Sequence, residues 1–271
     1  MNADFERRFG GLRRLYGVAG AQAIFDSHVM VVGIGGVGAW AAEALARSGV
    51  GRLTLVDMDH VAESNINRQI HALTDTVGMA KVEAMRERIV SINPECRVEV
   101  VDDFVTADNW PAHGHNLLAH AGPLGLIDAC DQVRAKTAMA AWAVAHRVNF
   151  VSVGAAGGKR KPQAIEVGDL AEVTHDPLLA QLRYRLRREH GASRTRRMGV
   201  TCVFSREPVA PPDASCDISS PDGSLNCHGY GSVVSVTASF GLCAAGCVFN
   251  ALADAASNKP VKLSKQREMT L

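Results

Sequence analysis

A glycine-rich turn between an apolar segment and an amphipathic one constrains the fold of this chain more than any other feature. Residues 33–38 read GIGGVG and directly follow the apolar run of residues 28–32. Glycines at GxGxxG spacing permit a tight turn and let amides at a helix start approach a phosphate. We therefore predict a nucleotide-binding strand, turn and helix. The glycines expected at the nucleotide are Gly33, Gly35, Gly36 and Gly38.

Short apolar segments and helical patterns alternate along the chain beyond this turn. Besides residues 28–33, predicted strands cover 52–57, 96–101, 124–128, 149–153, 163–170 and 201–205. Predicted helices cover residues 36–49, 79–92, 133–147 and 176–189. Strands that alternate with helices usually pair in parallel through right-handed crossovers. The predicted fold class is therefore α/β, with a doubly wound, mostly parallel, Rossmann-like sheet.

No break in composition divides the 271 residues, 47% of which are hydrophobic, so we expect a single domain over residues 1–256. Its expected parts are an N-terminal arm (1–27), a nucleotide-binding core (28–154) and a basic part that faces the substrate (155–256). Residues 257–271 are a polar tail, and the turn-forming residues of segment 208–230 predict a loop.

Charge and cysteine content limit the partners and the location. The 29 Lys and Arg residues nearly balance the 28 Asp and Glu residues, so any surface that binds a polyanion has to be local. Seven scattered cysteines and the lack of a signal segment fit a reducing cytoplasm. Residues 229–253 carry no charge and are long enough to span a membrane. Their small residues favour a buried helix, with membrane association as the alternative.

Polar residues after the second predicted strand indicate phosphate chemistry. Asp57 ends that strand, where a carboxylate commonly binds ribose hydroxyls. Residues 64–69 read SNINRQ, and Lys81 opens the next helix. Arg68 and Lys81 would stabilise the charge that spreads over the oxygens of a reacting phosphorus atom. Solvated surface positions are the alternative for both cations, but their joint spacing favours nucleotidyl transfer over hydride transfer.

These motifs, with DMDHV at residues 57–61 and DACD at 128–131, resemble the ubiquitin-activating-enzyme-like superfamily of adenylyltransferases. The resemblance implies that ATP converts a carboxylate into an acyl-adenylate and that Asp131 binds Mg²⁺. A helix N-cap is the alternative role for Asp131. Gln132 departs from the usual asparagine of the superfamily. The residues implied at the nucleotide are Asp57, Asp59, Asn65, Arg68, Gln69 and Lys81.

Further segments are similar to one branch, the tRNA threonylcarbamoyladenosine dehydratases, over nearly the whole chain. They include NRQIHAL, SINPECRVEVVDDFVT, VGAAGGK, GDLAEVTHDPL and GVTCVFSREPV. This resemblance implies that ATP activates the side-chain carboxylate of threonylcarbamoyladenosine in tRNA, and that an internal cyclisation expels AMP with net loss of water. The resemblance to the wider superfamily implies a homodimer in which an N-terminal arginine reaches the ATP of the partner subunit. Arg14, which opens RLYG, is the candidate, with Arg8 and Arg13 as alternatives. A monovalent cation and a cysteine desulfurase or sulfur-acceptor system are further candidate partners.

Two basic runs in the second half of the chain fit a tRNA substrate. The first covers residues 159–161, and Tyr184 lies within the second. Its ring can stack on an unpaired base, and a ring packed against the protein is the alternative. A solvated face is the alternative for both runs. The arginines of the second run are Arg183, Arg185, Arg187, Arg188, Arg194, Arg196 and Arg197.

Two other functions remain open at this point. The first is an adenylyltransferase that activates a ubiquitin-like sulfur-carrier protein, but such relatives usually carry two CxxC pairs. This chain has no CxxC, so no zinc is expected. The second is a scaffold that holds ATP without turnover.

If cyclisation uses a thiol, Cys227 beside His228 is the candidate, whereas Cys202 and Cys216 are not required.

Overall fold

The computed structural model describes residues 3–211 and 230–257, and its centre is a seven-stranded sheet. The strands are β1 (His28–Val32), β2 (Arg52–Val56), β3 (Arg97–Val101), β4 (Leu124–Asp128), β5 (Asn149–Val153), β6 (Ile165–Asp169) and β7 (Thr201–Ser205). Their order is β3-β2-β1-β4-β5-β7-β6. All neighbouring strands are parallel except β6, which is an antiparallel edge strand on β7. The predicted fold class, a doubly wound, mostly parallel sheet, is confirmed.

The described residues form eight α-helices, which cover both faces of this sheet. They are α1 (Ala3–Phe9), α2 (Gly11–Phe25), α3 (Gly38–Arg47), α4 (Lys81–Ile92), α5 (Trp110–Leu118), α6 (Val133–His146), α7 (Pro177–Glu189) and α8 (Val234–Ser257). Helices α1 to α4 and α8 share one hydrophobic core with the sheet, and α5 to α7 share the other. A two-layered cover of this kind buries parallel strands on both faces, and every residue of β1 is buried.

The predicted strands agree with the structure within two residues, but α3 and α4 begin two residues later than the sequence pattern indicated, and α8 begins at Val234 rather than at residue 229. Helix α3 begins at Gly38 rather than at residue 36, and α4 begins at Lys81 rather than at residue 79. In both places the preceding residues form a turn beside the site described below. Helix boundaries are the least certain part of a pattern-based prediction because turn residues share the helical spacing.

Helix α8 accounts for the uncharged segment. Among the described residues it is the one helix long and apolar enough to cross a membrane, and 56% of its most apolar stretch is buried. Small residues let it pack closely, since a Cβ at Gly241 would lie 2.4 Å from the carbonyl oxygen of Val37. This packing favours the predicted buried helix over a membrane helix.

Buried His71 makes the stability of the fold depend on pH. Its side chain is 1% exposed, and within the described part of the chain neither ring nitrogen has a hydrogen-bond partner. Burial, and then the charges of Lys81 and Arg88, lower the pKa of His71 from 6.5 to about 4. As the pH falls from 6.5 toward 4, the unfolded chain therefore binds a proton on His71 that the folded chain does not, and the free energy of unfolding decreases. Above pH 6.5 His71 is neutral in both states and stability is not reduced.

We expect acidification from pH 7.5 to pH 5 to remove about 2 kcal/mol of unfolding free energy through His71 alone. Urea unfolding of the wild type and of His71→Gln at both pH values measures this contribution. The variant should lose about 2 kcal/mol less than the wild type on acidification. Equal losses in the two proteins would contradict the assignment to His71.

Candidate functional site

The glycine turn opens onto a cavity of about 330 Å³ at the carboxyl ends of the central strands. Strand β1 lies between β2 and β4. The chain therefore continues toward one edge of the sheet from β1 to β3, and toward the opposite edge from β4 onward. Ligands of doubly wound sheets bind at such a position. The residues of the sequence prediction that line the cavity are Gly33, Gly35, Gly36, Asp57, Asp59, Arg68, Gln69, Lys81 and Asp131.

The glycines of the turn have different structural roles. Gly33 has a φ of 88°, and a Cβ there would lie 2.9 Å from backbone atoms of Ala129. A Cβ at Gly38 would lie 1.8 Å from the carbonyl oxygen of Gly33, whereas one at Gly35 would meet nothing within 4 Å. Gly38 therefore lets α3 pack against the end of β1 and does not line the cavity, while Gly35 borders open space. A direct contact of Gly38 with the nucleotide stays a prediction.

Alanine substitutions should separate these two roles. We expect Gly38→Ala to lower the unfolding free energy by at least about 2 kcal/mol, because the added methyl group overlaps the backbone of Gly33. Gly35→Ala should leave stability within about 1 kcal/mol and weaken ATP binding, because its methyl group enters the cavity. Urea unfolding and calorimetric titration with ATP measure the two effects. Wild-type stability of Gly38→Ala would show that the turn tolerates a Cβ there.

Asp57, at the end of β2, fixes the geometry of the turn. One carboxylate oxygen accepts a hydrogen bond from the amide of Ile34 at 2.6 Å, and the other accepts one from the amide of Asp59 at 2.9 Å. Burial raises the pKa of Asp57, against the opposing effects of Lys81 and these two amides. Each carboxylate oxygen has a second lone pair, so the side chain still has acceptor capacity for a ligand hydroxyl.

Lys81, at the start of α4, is a cation held at the cavity by a carboxylate. Its ammonium group lies 2.7 Å from a carboxylate oxygen of Asp59. The Lys81 side chain is buried and Asp59 is half-exposed, so the stem of the lysine packs in the protein while its charge faces the cavity. The structure therefore brings together two residues that the sequence prediction assigned separately to the nucleotide.

Arg68 lines the cavity from the segment before α4. Its guanidinium donates to the carbonyl oxygen of Ser64 at 2.5 Å and to the side-chain oxygen of Asn67 at 2.9 Å. The carbonyl oxygen of Arg68 accepts a hydrogen bond from the indole of Trp40 at 3.0 Å, which attaches this segment to α3. None of these partners is a carboxylate, so the positive charge of Arg68 is not neutralised by them.

Asn65 and Gln69 flank Arg68 and differ in their relation to the cavity. The side-chain oxygen of Asn65 accepts a hydrogen bond from the amide of Ala62 at 3.0 Å, and the residue does not line the cavity. Its predicted phosphate contact therefore stays a prediction. Gln69 lines the cavity, and its buried side-chain oxygen has no hydrogen-bond partner among the described residues.

The two aspartates of the DACD segment lie in different environments. Asp131 is exposed at the cavity, and the N-cap residue of α6 is Gln132 rather than Asp131, which removes the capping alternative. Asp128 is completely buried and lies 2.9 Å from the ammonium group of Lys136, which is also completely buried. Ser152 donates a hydrogen bond to the same Asp128 oxygen at 2.7 Å.

Lys136 links the ends of β4 and β5. It donates to the carbonyl oxygen of Val153 at 2.8 Å and approaches the hydroxyl of Ser152 at 3.3 Å. Burial alone would lower the pKa of Lys136, but the adjacent Asp128 carboxylate outweighs it and the pKa is raised. The segments after β4 and β5 both line the cavity, so this ion pair supports the floor of the site.

The described thiols are poor candidates for a nucleophile. Cys130 lines the cavity, yet burial and the neighbouring Asp128 raise its pKa well above the ordinary value. Cys202 is fully buried, and burial raises its pKa also. A buried thiol with a raised pKa stays protonated and unreactive at neutral pH. Cys216, Cys227 and His228 lie outside the described residues, as does most of the predicted loop 208–230.

Sequence reasoning missed several residues that line the cavity. Segment 103–105 follows β3, segment 154–157 follows β5, and Thr237 comes from the distant helix α8. The first two follow parallel strands directly, and the rule that ligands bind beyond the carboxyl ends of such strands was a usable signal. Thr237 carried no such signal, because only the tertiary packing of α8 brings it to the cavity.

Other predicted residues lie away from the cavity. Arg14 is exposed on α2. Lys159 is 2% exposed, and its ammonium donates to the carbonyl oxygens of Ser205 and Glu207 at 3.0 and 2.9 Å. The prediction that Lys159 belongs to a tRNA-facing basic run is therefore wrong, because its ammonium group is bound inside the protein.

Over residues 3–211 and 230–257, no group of three or more His, Cys, Asp or Glu side chains is arranged to hold a metal ion.

The chain is similar to proteins of known activity. The model of the ThiF family matches residues 8–268. A tRNA threonylcarbamoyladenosine dehydratase of Escherichia coli is 47% identical over 249 residues, which cover 89% of this chain and 91% of that protein. The protein of the same name from Haemophilus influenzae is 39% identical over 252 residues, 92% of this chain and 94% of that one.

Two crystal structures of the E. coli dehydratase have the same fold. The complex with ATP superposes with a TM-score of 0.83 at 44% identity and covers 96% of this chain and 99% of that chain. The complex with AMP has a TM-score of 0.82 at 44% identity, with 94% and 98% coverage. ATP and AMP are the nucleotides expected before and after an adenylation.

Proposed function

The chain belongs to the ThiF family, and we infer that it is an ATP-dependent tRNA threonylcarbamoyladenosine dehydratase. One observation carries this conclusion: Lys81, Arg68 and Asp131 face the glycine turn in one cavity, in a chain similar to the E. coli dehydratase over nine-tenths of its length. The alternative of a sulfur-carrier adenylyltransferase has no comparable support along the whole chain.

The first chemical step is attack of the threonyl carboxylate of the tRNA on the α-phosphorus of ATP. A bond forms between a carboxylate oxygen and this phosphorus, and the bond to pyrophosphate breaks. Negative charge spreads over the phosphoryl oxygens in the transition state, and Lys81 and Arg68 would stabilise it. The amides at the start of α3 bind the phosphates, and Asp57 accepts hydrogen bonds from the ribose.

Asp131 is the residue that would hold Mg²⁺ in this site. Its carboxylate is exposed at the cavity, and Mg²⁺ typically uses one or two protein carboxylates with the substrate phosphates and water. When bound, the ion would neutralise charge on the phosphate oxygens. The buried Asp128 is unsuited to this role because its carboxylate is engaged by Lys136 and Ser152.

The second step is an internal cyclisation. A nucleophilic group of the same side chain attacks the activated acyl carbon, and AMP leaves with one of the original carboxylate oxygens, so the nucleoside loses the elements of water. Intramolecular attack has a high effective molarity, which makes a covalent enzyme intermediate unnecessary. The raised pKa of the Cys130 thiol, which donates a hydrogen bond to Asp128 at 3.1 Å, agrees with this sequence of steps.

Mass spectrometry of tRNA nucleosides tests the function directly. After incubation of tRNA with the purified protein and ATP, threonylcarbamoyladenosine should lose the mass of one water molecule. Omission of ATP should abolish the change. Conversion without ATP, or no conversion with ATP and active tRNA, would exclude the proposed activity.

We further propose that two copies form a dimer in which Arg14 completes the partner's site. Leu15 and Val18, beside Arg14 on α2, are 76% and 68% exposed, and a second copy would cover them. The competing arginines are already held: Arg8 donates to Asp4 and to the carbonyl oxygen of Ile92, and Arg13 is paired with Glu6. Arg14 is therefore the arginine of this segment best placed to act on another subunit.

Mixing inactive variants tests action across subunits. Arg14→Ala and Arg68→Ala should each be nearly inactive in dehydration of tRNA. After subunit exchange in an equal mixture, about one site in four should be intact, because half of the dimers are mixed and each of these has one complete site. No recovery on mixing would show that Arg14 acts within its own subunit or not at all.

Two candidate partners stay predictions: a monovalent cation, and a cysteine desulfurase or sulfur-acceptor system. The cytoplasmic location also stays a prediction. Elemental analysis of the purified protein would test for the cation, and copurification would test for the sulfur-transfer partner.

A further inference from the structure

The turn that follows β5 forms one wall of the nucleotide cavity. We call residues 154–158 the β5 turn, and all of them except Gly158 line the cavity. Strand β4 lies between β5 and β1, so this wall is two strand spacings, about 10 Å, from the glycine turn. Asp57, at the end of β2, lies on the other side of the glycine turn. The β5 turn is therefore the wall of the cavity farthest from the carboxylate assigned to the ribose.

The backbone amides of the β5 turn differ in their hydrogen bonds. The outer three donate inside the protein, and their acceptors are the carbonyl oxygens of Val203 (2.9 Å, from Gly154) and Gly231 (3.0 Å, from Gly158) and the carboxylate of Asp176 (2.9 Å, from Ala155). The central two, those of Ala156 and Gly157, donate to no group among the residues that the structure describes. Both residues are buried. Buried amides nearly always have a hydrogen-bond partner, so these two donors are available to an acceptor that enters the cavity.

Contacts at the far end of the β5 turn hold it in place. The buried ammonium group of Lys159 donates to the carbonyl oxygens of Ser205 and Glu207 at 3.0 and 2.9 Å. The amide of Ala210 donates to the carbonyl oxygen of Gly158 at 2.8 Å. Gly158 itself has a φ of 69°, which favours glycine and fixes the direction of the chain after the two central amides. Donors on a backbone held in this way need not reorganise when charge develops on a ligand, which is the condition for strong electrostatic stabilisation.

The cyclisation step places negative charge on an acyl oxygen. When the nucleophile of the side chain bonds to the acyl carbon, the π electron pair of the carbonyl group moves to its oxygen. The bond to AMP then breaks as this pair re-forms the carbonyl group, and the proton that the nucleophile loses passes to water. Arg68 and Lys81 are assigned to the phosphates, so the acyl oxygen needs donors of its own. A pair of backbone amides is a usual means of stabilising such an oxyanion.

We propose that the amides of Ala156 and Gly157 form an oxyanion hole, which binds the acyl oxygen during cyclisation. This assignment rests on the proposed function, because it takes the acyl-adenylate of the tRNA as the intermediate. With the ribose on Asp57 and the phosphate at the glycine turn, the acyl group lies toward the β5 turn. The two amides then act in the second chemical step, whereas Arg68 and Lys81 act in the first.

Amide-to-ester substitution tests the two donors one at a time. Lactic acid in place of Ala156, or glycolic acid in place of Gly157, exchanges the N–H for an oxygen and keeps the side chain. Each ester variant should cyclise the acyl-adenylate about 10²-fold more slowly in a single turnover. Exchange of pyrophosphate into ATP in the presence of tRNA should be retained, because adenylation places its new charge on phosphoryl oxygens. The acyl-adenylate should therefore accumulate, and hydroxylamine should trap it as a hydroxamate.

Ala121 provides the matched control. It is exposed in the loop before β4, at the opposite end of the strands from the cavity, and within the described part of the chain its amide has no acceptor either. Lactic acid in place of Ala121 makes the same chemical change where water solvates the backbone, and it should leave both chemical steps unchanged. Calorimetric titration with ATP shows whether each ester variant is folded.

Cyclisation at the wild-type rate in both ester variants would overturn the oxyanion hole while the dehydratase function stands. Equal losses of pyrophosphate exchange and cyclisation would also overturn it, because the β5 turn would then support the whole site rather than the second step. Absence of dehydration by the wild type would instead refute the proposed function, so the two failures are distinguishable.

Discussion

Replacement of Arg68 by alanine, or of Lys81 by methionine, should slow dehydration of tRNA by about 10²- to 10³-fold each. Both side chains line the cavity beside the glycine turn. Their loss removes fixed positive charge from the place where phosphoryl oxygens gain negative charge, so the effect should fall on kcat. Single-turnover assays with saturating ATP measure the chemical step separately from product release.

The folding cost of these substitutions should be small. Arg68 contacts a backbone oxygen and an exposed amide, and the Asp59 partner of Lys81 is half-exposed and can be solvated. Arg86→Ala on α4 removes a charge of the same kind outside the cavity and should retain full activity. Rates within threefold of the wild type for both variants, with normal unfolding curves, would rule out a role of these cations in the transition state.

Replacement of Lys136 by methionine should have the largest effect on stability. The substitution leaves the Asp128 carboxylate buried without its cation, and breaking a buried pair in this way typically costs about 3–5 kcal/mol. That is a large part of the 5–15 kcal/mol by which domains are typically stable. Urea unfolding at neutral pH measures the change.

The double variant Asp128→Asn/Lys136→Met serves as the control, because it removes both charges. We expect it to recover at least about 1 kcal/mol relative to Lys136→Met alone. A loss below about 1 kcal/mol for Lys136→Met would mean that Asp128 is protonated or solvated in the folded protein, contrary to its ion pair. If the Lys136→Met protein is instead soluble but inactive, the ion pair acts mainly by holding the floor of the cavity in place.

The sheet was predictable from sequence because its strands are apolar runs bounded by turn residues. Parallel strands are buried on both faces, so burial and sequence pattern coincide, as in β1. Helices α1, α2 and α5 were not predicted. Helix α2 contains several glycines and is kinked at Gly17, where φ is 72°, and α5 contains Pro111 and Gly114. Such residues weaken the helical signal, and tertiary packing supplies the stability instead. The division into arm, core, basic part and tail stays a prediction.

The candidate site was predictable where a motif carries its chemistry in adjacent residues. The glycine turn, Arg68 and Lys81 are examples, and they share one cavity. Burial of charge was not predictable, because Lys136 and Lys159 have the sequence context of exposed lysines, which is the usual state of that residue. Their partners come from strands that only the fold brings near: Asp128 and Ser152 for Lys136, and Ser205 for Lys159.

Transfer of an isotope label tests the central claim, that ATP activates the carboxylate at its α-phosphorus. The substrate is tRNA whose threonylcarbamoyladenosine carries ¹⁸O in the threonyl carboxylate, and the products are analysed by mass spectrometry after a single turnover. Adenylation predicts one labelled oxygen in AMP, because the carboxylate oxygen that attacks phosphorus leaves with it. Label in inorganic phosphate together with ADP, or AMP without label, would contradict the account.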